Sequence, residues 1–389
     1  MLVGFGCAYS FSAFLDSLQK EFGASRGSVS LVFSLAGFLY FALGVISGPL
    51  ADRWGSRPLA LAGMILVGLG LVAASLAQSL LQVYLAYGLG VGLGVGLSYV
   101  PAVGAVQRWF ARRRGFASGM AVSGIGIGTL VVPPLAAVLI EGYGWRNAYL
   151  LLGCVAALAG GGMALLIEND PARRGLGLDG DAPAPATTAG TPSGLTVKEA
   201  LAAPRFITLY LACLICSFGV FVPFVHLVPY ALDHGVARTS AVLLLGMIGV
   251  GSTAGRFLLG GVADRIGRGL ALLLMFMGMG IAMGVWAVST SFIALALFAL
   301  AYGVFYGGWV AVIPALTMDY FGGRHVVGII GVLYTSVALG TLIGPSAAGF
   351  MFDASGSYTL PILAGAAGSL VAAAVMALVL KLAPPAAQM

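Results

Sequence analysis

The chain has 389 residues, 60% of them hydrophobic and only 8% charged, with a mean hydropathy of +1.03 and a formal charge of +6. Soluble domains carry roughly a quarter charged residues, so this composition excludes a soluble globular enzyme and points to an all-α protein that crosses a membrane many times. The basic surplus does not signal a nucleic-acid partner, because those residues lie in the turns between apolar runs.

From the amino terminus onward, apolar runs of about 20 residues alternate with polar turns. The opening "MLVGFGCAYSFSAFL" has no basic leader or cleavage site. It reads as a first membrane helix that has lost a short leading tail, not as a signal peptide. The pattern predicts twelve transmembrane helices: 1–18, 27–50, 57–77, 80–106, 113–140, 147–167, 205–232, 240–262, 269–289, 292–318, 326–352 and 358–381. The stretch 168–204, with its "DGDAPAPATTAGTPSG", lacks apolar periodicity and reads as a flexible linker between six-helix units at 1–167 and 205–389. Of nineteen Lys and Arg, fourteen lie at one set of helix ends or in the linker, four at the other set, and one, Arg256, within a span. The positive-inside rule then places the linker and both termini in the cytoplasm of a multi-pass inner-membrane protein.

Cys7, Cys154, Cys213 and Cys216 all fall in apolar runs, where small-residue packing accounts for them better than redox or metal chemistry. Helix 4 carries "GLGVGLGVG", which looks like a nucleotide-binding string. No strand precedes it, so close helix packing is the expected role. No metal-ligand cluster or nucleophile–base pair is present, and no cofactor is expected.

The two halves match at one offset. "GPLADRWG" at 48–55 returns as "GGVADRIG" at 260–267, "GTLVVP" at 128–133 returns as "GTLIGP" at 340–345, and Gly119 and Gly144 return as Gly331 and Gly356. The shift is 212 residues each time, which implies a duplicated six-helix unit in parallel orientation around a central cavity. In both copies an acid–arginine pair, Asp52–Arg53 and Asp264–Arg265, sits where a helix ends and can exchange partners as the bundles rock. The second copy has Gly269 where the first has Arg57.

With these features the chain resembles the major facilitator superfamily over nearly its whole length. "GPLADRWGSR" matches that superfamily's loop motif after helix 2. "YGLGVGLGVGLSYVPAVGAVQRWFARRRGFASG", "FGVFVPFVHLVPYALDHG", "GRFLLGGVADR" and "YGVFYGGWVAVIPAL" together resemble the monocarboxylate transporter family, including its oxalate/formate-type bacterial relatives. Helix 5 reads "GIGIGTLVVPP" and lacks the pattern of proton-coupled drug antiporters. The resemblance implies a major facilitator fold of two six-helix bundles and alternating-access transport without enzymatic activity.

Arg256 lies eight residues before Asp264, roughly 12 Å inside the end of helix 8, where a guanidinium costs at least ~2.5–3.5 kcal/mol to insert. All thirteen Asp and Glu fall in loops or at helix ends, so no fixed counter-ion is evident. A mobile carboxylate is the expected partner, through two parallel hydrogen bonds; the bland alternative is an arginine bonded to backbone carbonyls or reaching for the interface. The resemblance implies the same role, since the family's helix-8 arginine binds carboxylate, and it places Tyr99 and Tyr306 near substrate. Tyr99, on helix 4, lies nine residues before Arg108; Tyr306, on helix 10, lies thirteen before Asp319. Tyr334 and Tyr9 are secondary candidates, while Tyr302 and Trp309 are expected to pack or gate.

A single intramembrane cation suggests one carboxylate, and helix 11, "VVGIIGVLYTSVALGTLIGP", lacks the second cation typical of dicarboxylate carriers. The chain departs from animal monocarboxylate carriers, having no Lys in helix 1 before Lys20 and Ser252 where they have Asp. A monoanion entering a negative-inside cell is opposed by about 2.3 kcal/mol per 100 mV, which proton symport removes. His226, the one His inside a span, is the candidate proton carrier, with cavity lining as its alternative role. The expected function is symport of a lactate- or pyruvate-like monocarboxylate with a proton by a monomer in the lipid bilayer. The alternatives are an oxalate/formate-type anion exchanger and a non-transporting membrane sensor.

Overall fold

The computed structural model describes residues 1–110, 114–169, 171–177, 179, 194–322 and 325–382. Ten helical stretches among them are each long and apolar enough to cross a membrane. Two breaks account for the remainder of the expected twelve. The run Arg114–Val155 leaves helical geometry at Gly144 (φ 80°, ψ 160°) and so comprises helix 5 and the start of helix 6, which continues to Leu165. Helix 1 is a pair of shorter segments, Leu2–Tyr9 and Phe11–Phe22.

Helix 2 runs through Arg26–Ala42 and Gly44–Trp54, helix 3 is Ser56–Ser75, and helix 4 spans 80–109 with a π-helical stretch at Tyr84–Leu89. In the second half, helix 7 is Pro204–Val220 plus Val222–Asp233. Helices 8 to 12 are Arg238–Ile266, Arg268–Ala287, Phe292–Phe321, Val326–Ser355 and Thr359–Lys381.

The 212-residue repeat is built into these boundaries. Arg26 and Arg238 open helices 2 and 8, Ser56 and Arg268 open helices 3 and 9, and Leu80 and Phe292 open helices 4 and 10. Glycines at positive φ recur at the same spacing: Gly23 and Gly235, Gly55 and Gly267, Gly144 and Gly356. Lacking a Cβ, glycine takes these turn geometries without steric cost. The glycine string of helix 4 serves packing: a Cβ at Gly94 would meet the Gly63 carbonyl oxygen of helix 3 at 2.6 Å.

Helices 1 and 7 break near their middles, where the sequence pattern predicts continuous spans. In helix 1 the Ser10 hydroxyl donates to the Cys7 carbonyl (2.8 Å), a local bond that competes with regular helix. In helix 7, Pro223 brings no N–H to the ladder. Each break leaves carbonyls that need donors in a medium without water. Tyr87 of helix 4 donates to the Ala8 carbonyl at 2.9 Å, and Tyr302 of helix 10 donates to the Val220 carbonyl at 2.7 Å. Tyr302 is thus a brace for the helix 7 break.

The segment expected to be a flexible linker is ordered at both described ends. Thr196 and Glu199 form a capping box on the short helix Val197–Ala202, and Leu195 donates its backbone N–H to Phe321 (2.9 Å). At the other end the Glu168 carboxylate accepts from Arg57 (2.8 Å) and Arg174 (2.9 Å), which hold it below the usual carboxylate range, Arg174 most strongly. Residues 180–193, which include most of the quoted Pro- and Ala-rich run, lie outside the described residues.

Of the acid–arginine turns, Arg53 is exposed at the end of helix 2, and the Asp52 side chain lies outside the described residues. Asp264 and Arg265 occupy the last turn of helix 8. There Arg268 supplies the brace that Gly269 cannot: its guanidinium donates to Asp264 (3.0 Å) and to Asp319 at the end of helix 10 (2.6 Å).

Among the described residues, ion pairs between the halves occur at the end opposite the linker. Arg26 clasps Asp233 with both terminal nitrogens, the second at 2.7 Å, and donates to Tyr358 (3.1 Å). Arg238 pairs with Asp16 at 3.1 Å. The Asp353 carboxylate caps helix 2 from helix 11, accepting the backbone N–H groups of Arg26 (3.0 Å) and Gly27 (2.8 Å). A carboxylate at a helix N-terminus gains from both the free donors and the helix dipole. Replacing it with Asn keeps the shape but removes the charge, which is worth about 1–2 kcal/mol, or roughly 5- to 30-fold in the opening equilibrium. In a Cys154→Ser background with spin labels on Lys20→Cys and Ser357→Cys, Asp353→Asn is expected to shift the label distances toward longer values. An unchanged distribution would show that the cap does not hold this end closed.

Candidate functional site

Arg256 sits in helix 8 at 4% exposure, and none of its three guanidinium nitrogens has a hydrogen-bond partner among the described residues. Leaving a charged donor buried and unpaired is among the costliest arrangements a protein holds, at several kcal/mol. Four phenols, Tyr306, Tyr99, Tyr9 and Tyr334, lie near enough to act on its charge, and no carboxylate among the described residues bonds to it. Those four come from helices 10, 4, 1 and 11, so both halves converge on one cation.

The site is held by the breaks and close approaches already described. Tyr9 is the last residue before the helix 1 break, and Phe221 marks the break in helix 7. Helix 8 lies hard against helix 10 through glycines: a Cβ at Gly255 would fall 2.0 Å from the Val304 carbonyl oxygen, and one at Gly307 would fall 2.0 Å from that of Ser252. This contact fixes Arg256 and Tyr306 relative to each other.

A cavity of about 30 Å³, room for roughly one water, lies between the halves. Its lining is almost wholly aromatic and aliphatic, and includes Phe5, Tyr9, Tyr99, Tyr306, Trp309 and Tyr334. Arg256 does not line it; all four phenols that interact with Arg256 do. The Tyr9 and Tyr306 hydroxyls meet across the halves at 3.3 Å. Rings close around them, with Phe224 centred 4.8 Å from Tyr9 and 5.1 Å from Tyr306, and Phe5 5.1 Å from Tyr99. Donors therefore outnumber fixed acceptors in an otherwise apolar space, and the group that suits it is a small anion with an apolar body.

His226 is elsewhere. It is fully buried in the seam between helices 2, 7 and 11, with Nδ1 at 3.0 Å from the Tyr358 hydroxyl and Nε2 at 2.8 Å from the Pro345 carbonyl. A carbonyl only accepts, so Nε2 carries the hydrogen and Nδ1 accepts from Tyr358, which in turn accepts from Arg26. His226 thus joins the closure opposite the linker, not the ring of phenols. Sequence reasoning did not single out Tyr40, Phe5, Phe41, Ile125 or Phe221. Apolar residues in apolar helices carry no marker of which face meets a cavity.

Comparison with known proteins agrees with this architecture. The Major Facilitator Superfamily model matches residues 1–286 and 209–388. Monocarboxylate transporter 11 of Homo sapiens is 31% identical over 95% of this chain and 78% of its own length; its Mus musculus counterpart is 33% identical over 93% and 80%. Monocarboxylate transporter 12 of Xenopus laevis is 30% identical over 90% and 80%. A crystal structure of a bacterial homologue of the human lysosomal transporter Spinster, inward-facing and occupied, superposes with a TM-score of 0.71 at 17% identity, covering 98% of this chain and 94% of that one. The fold and the helix-terminal motifs define a secondary transporter, not an enzyme. The chain belongs to the major facilitator superfamily and, within it, to the monocarboxylate transporter family.

The helix 8–helix 10 contact yields a prediction. Gly255→Ala forces a methyl into a backbone carbonyl that has nowhere to go, and overpacking of this kind costs about 1–3 kcal/mol. The thermal midpoint of the purified protein is expected to fall; an unchanged midpoint would mean the helices separate without penalty.

Proposed function

We propose that the chain carries a small monocarboxylate, of lactate or pyruvate type, by alternating access as a proton symporter. The observation that carries this reading is the unpartnered guanidinium of Arg256 amid four phenols with no acid. One carboxylate completes it, taking two parallel hydrogen bonds from Arg256 while Tyr99 and Tyr306 orient the remaining lone pairs and Tyr9 and Tyr334 complete the ring. A cavity of about 30 Å³ is smaller than a three-carbon acid, so the Tyr9–Tyr306 contact opens as the anion enters. The two bundles, 1–167 and 205–389, rock about this point, joined by 168–204, and the Asp52–Arg53 and Asp264–Arg265 turns exchange partners as they do. The excess of Lys and Arg on the linker side supports a cytoplasmic position for that side of a protein in the cell membrane.

His226 has all its polar atoms engaged in the seam, so the proton travels with the substrate–Arg256 pair and His226 serves closure. One observation favours a second reading, exchange of one organic anion for another: no carboxylate among the described residues is bonded to Arg256 to take up a proton.

Uptake of labelled L-lactate and pyruvate into proteoliposomes, with and without an inward proton gradient, separates these readings. Symport predicts gradient-driven accumulation, and exchange predicts uptake only into vesicles preloaded with acid. Arg256→Ala is expected to lose at least about 100-fold in uptake, roughly 3 kcal/mol, with Arg256→Lys only partly active. Wild-type uptake by Arg256→Ala would eliminate the site.

A further inference from the structure

Tyr40 lies on helix 2, at 1% exposure, and its hydroxyl makes no well-formed hydrogen bond among the described residues. Its ring packs edge-on against Phe5 at 5.6 Å and Phe41 at 4.6 Å, both lining the central cavity. The Tyr9 hydroxyl is its hydrogen-bonding neighbour and Tyr306 lies near as well; these are the two hydroxyls that meet between the halves, and Phe5 packs against Tyr9 too, at 5.5 Å. A phenol sealed from water without a partner is unfavourable, and an apolar helix could carry Phe there at no loss. The hydroxyl gains a full partner only if the Tyr9 oxygen, engaged here with Tyr306, is released in another state of the site.

We infer that Tyr40 is a positioning residue for the bound carboxylate and acts through Tyr9. This rests on the carboxylate reading of Arg256 above. In the present arrangement Tyr9 and Tyr306 share one hydrogen between their oxygens. An anion at Arg256 draws Tyr306, its neighbour in the second half, toward the carboxylate, and Tyr9 loses that contact. Tyr40 then donates to the Tyr9 oxygen and leaves the Tyr9 hydrogen free for the anion. The result is a chain running from Tyr40 to Tyr9 to carboxylate, in which each bond polarises the next. Tyr9 and Tyr40 both belong to the first half, whereas Arg256 and Tyr306 belong to the second. The chain is thus a route, beside Tyr99, by which the half without the cation grips the same ligand.

The test uses the full-length protein and four acids: acetate, L-lactate, pyruvate and benzoate. The acid that most raises the wild-type thermal midpoint is titrated against Tyr40→Phe, Tyr9→Phe, the double variant and Arg256→Ala. The expected results are an unliganded midpoint for Tyr40→Phe equal to or above wild type, and an affinity five- to tenfold weaker. Adding Tyr40→Phe to Tyr9→Phe should change affinity less than twofold, because the relay is already cut. Wild-type affinity in Tyr40→Phe, a lowered unliganded midpoint, or effects that multiply in the double variant would each overturn the assignment. If Arg256→Ala abolishes binding in that same experiment, the carboxylate reading stands without Tyr40. If Arg256→Ala binds normally, or no acid shifts the wild type, the carboxylate reading fails and this inference with it.

Discussion

A guanidinium enclosed by protein and bonded to none of the described residues is the constraint around which this molecule is organised. Burying an unpaired cation works against both folding and insertion, so the surroundings must hold it in place and keep it from the nearest carbonyl. The glycine contacts between helices 8 and 10 do the first, and the phenols of Tyr306, Tyr99, Tyr9 and Tyr334 stand between the cation and the apolar cavity that they line. On the proposed reading, electrostatic demand and apolar enclosure together make a seat for one small anion.

The duplication makes the asymmetry of this seat clear. Helix boundaries and turn glycines repeat at 212 residues, yet the position related to Arg256 by that shift is Gly44. The two halves share a frame but not a charge. The second half carries the cation, while the first contributes phenols from helices 1, 2 and 4. On the proposed reading, an anion drawn to the second half becomes the element that the first half closes upon. Closure opposite the linker has a different chemistry: charged groups pair directly between the halves, with Asp353 capping helix 2, Arg26 clasping Asp233, and His226 joined to the same cluster through Tyr358. On the proposed reading the centre depends on a diffusible partner, whereas that end is complete in itself.

Much of this was legible in the residues. Apolar runs and the constant offset gave twelve helices and their pairing, because hydrophobic length and turn glycines are local properties. Arg256 stood out by depth alone, and the four tyrosines named with it do lie around it. The breaks in helices 1 and 7 were missed, although Pro223 was in view; the helix 1 break depends on a short Ser10–Cys7 bond and on Tyr87 reaching across from helix 4, neither visible as periodicity. The missing arginine at Gly269 was noted, but that Arg268 takes up the brace depends on where Asp319 falls in space. The surroundings of His226 and the orphan hydroxyl of Tyr40 likewise arise from helices far apart in the chain.

The measurement closest to the centre of this account is a crystal structure grown with 3-bromopropionate, whose bromine locates the molecule by anomalous scattering. The account requires its carboxylate oxygens within about 3 Å of the Arg256 guanidinium, with the Tyr9–Tyr306 contact parted. Finding the acid elsewhere, and Arg256 bonded to fixed protein acceptors, would contradict it.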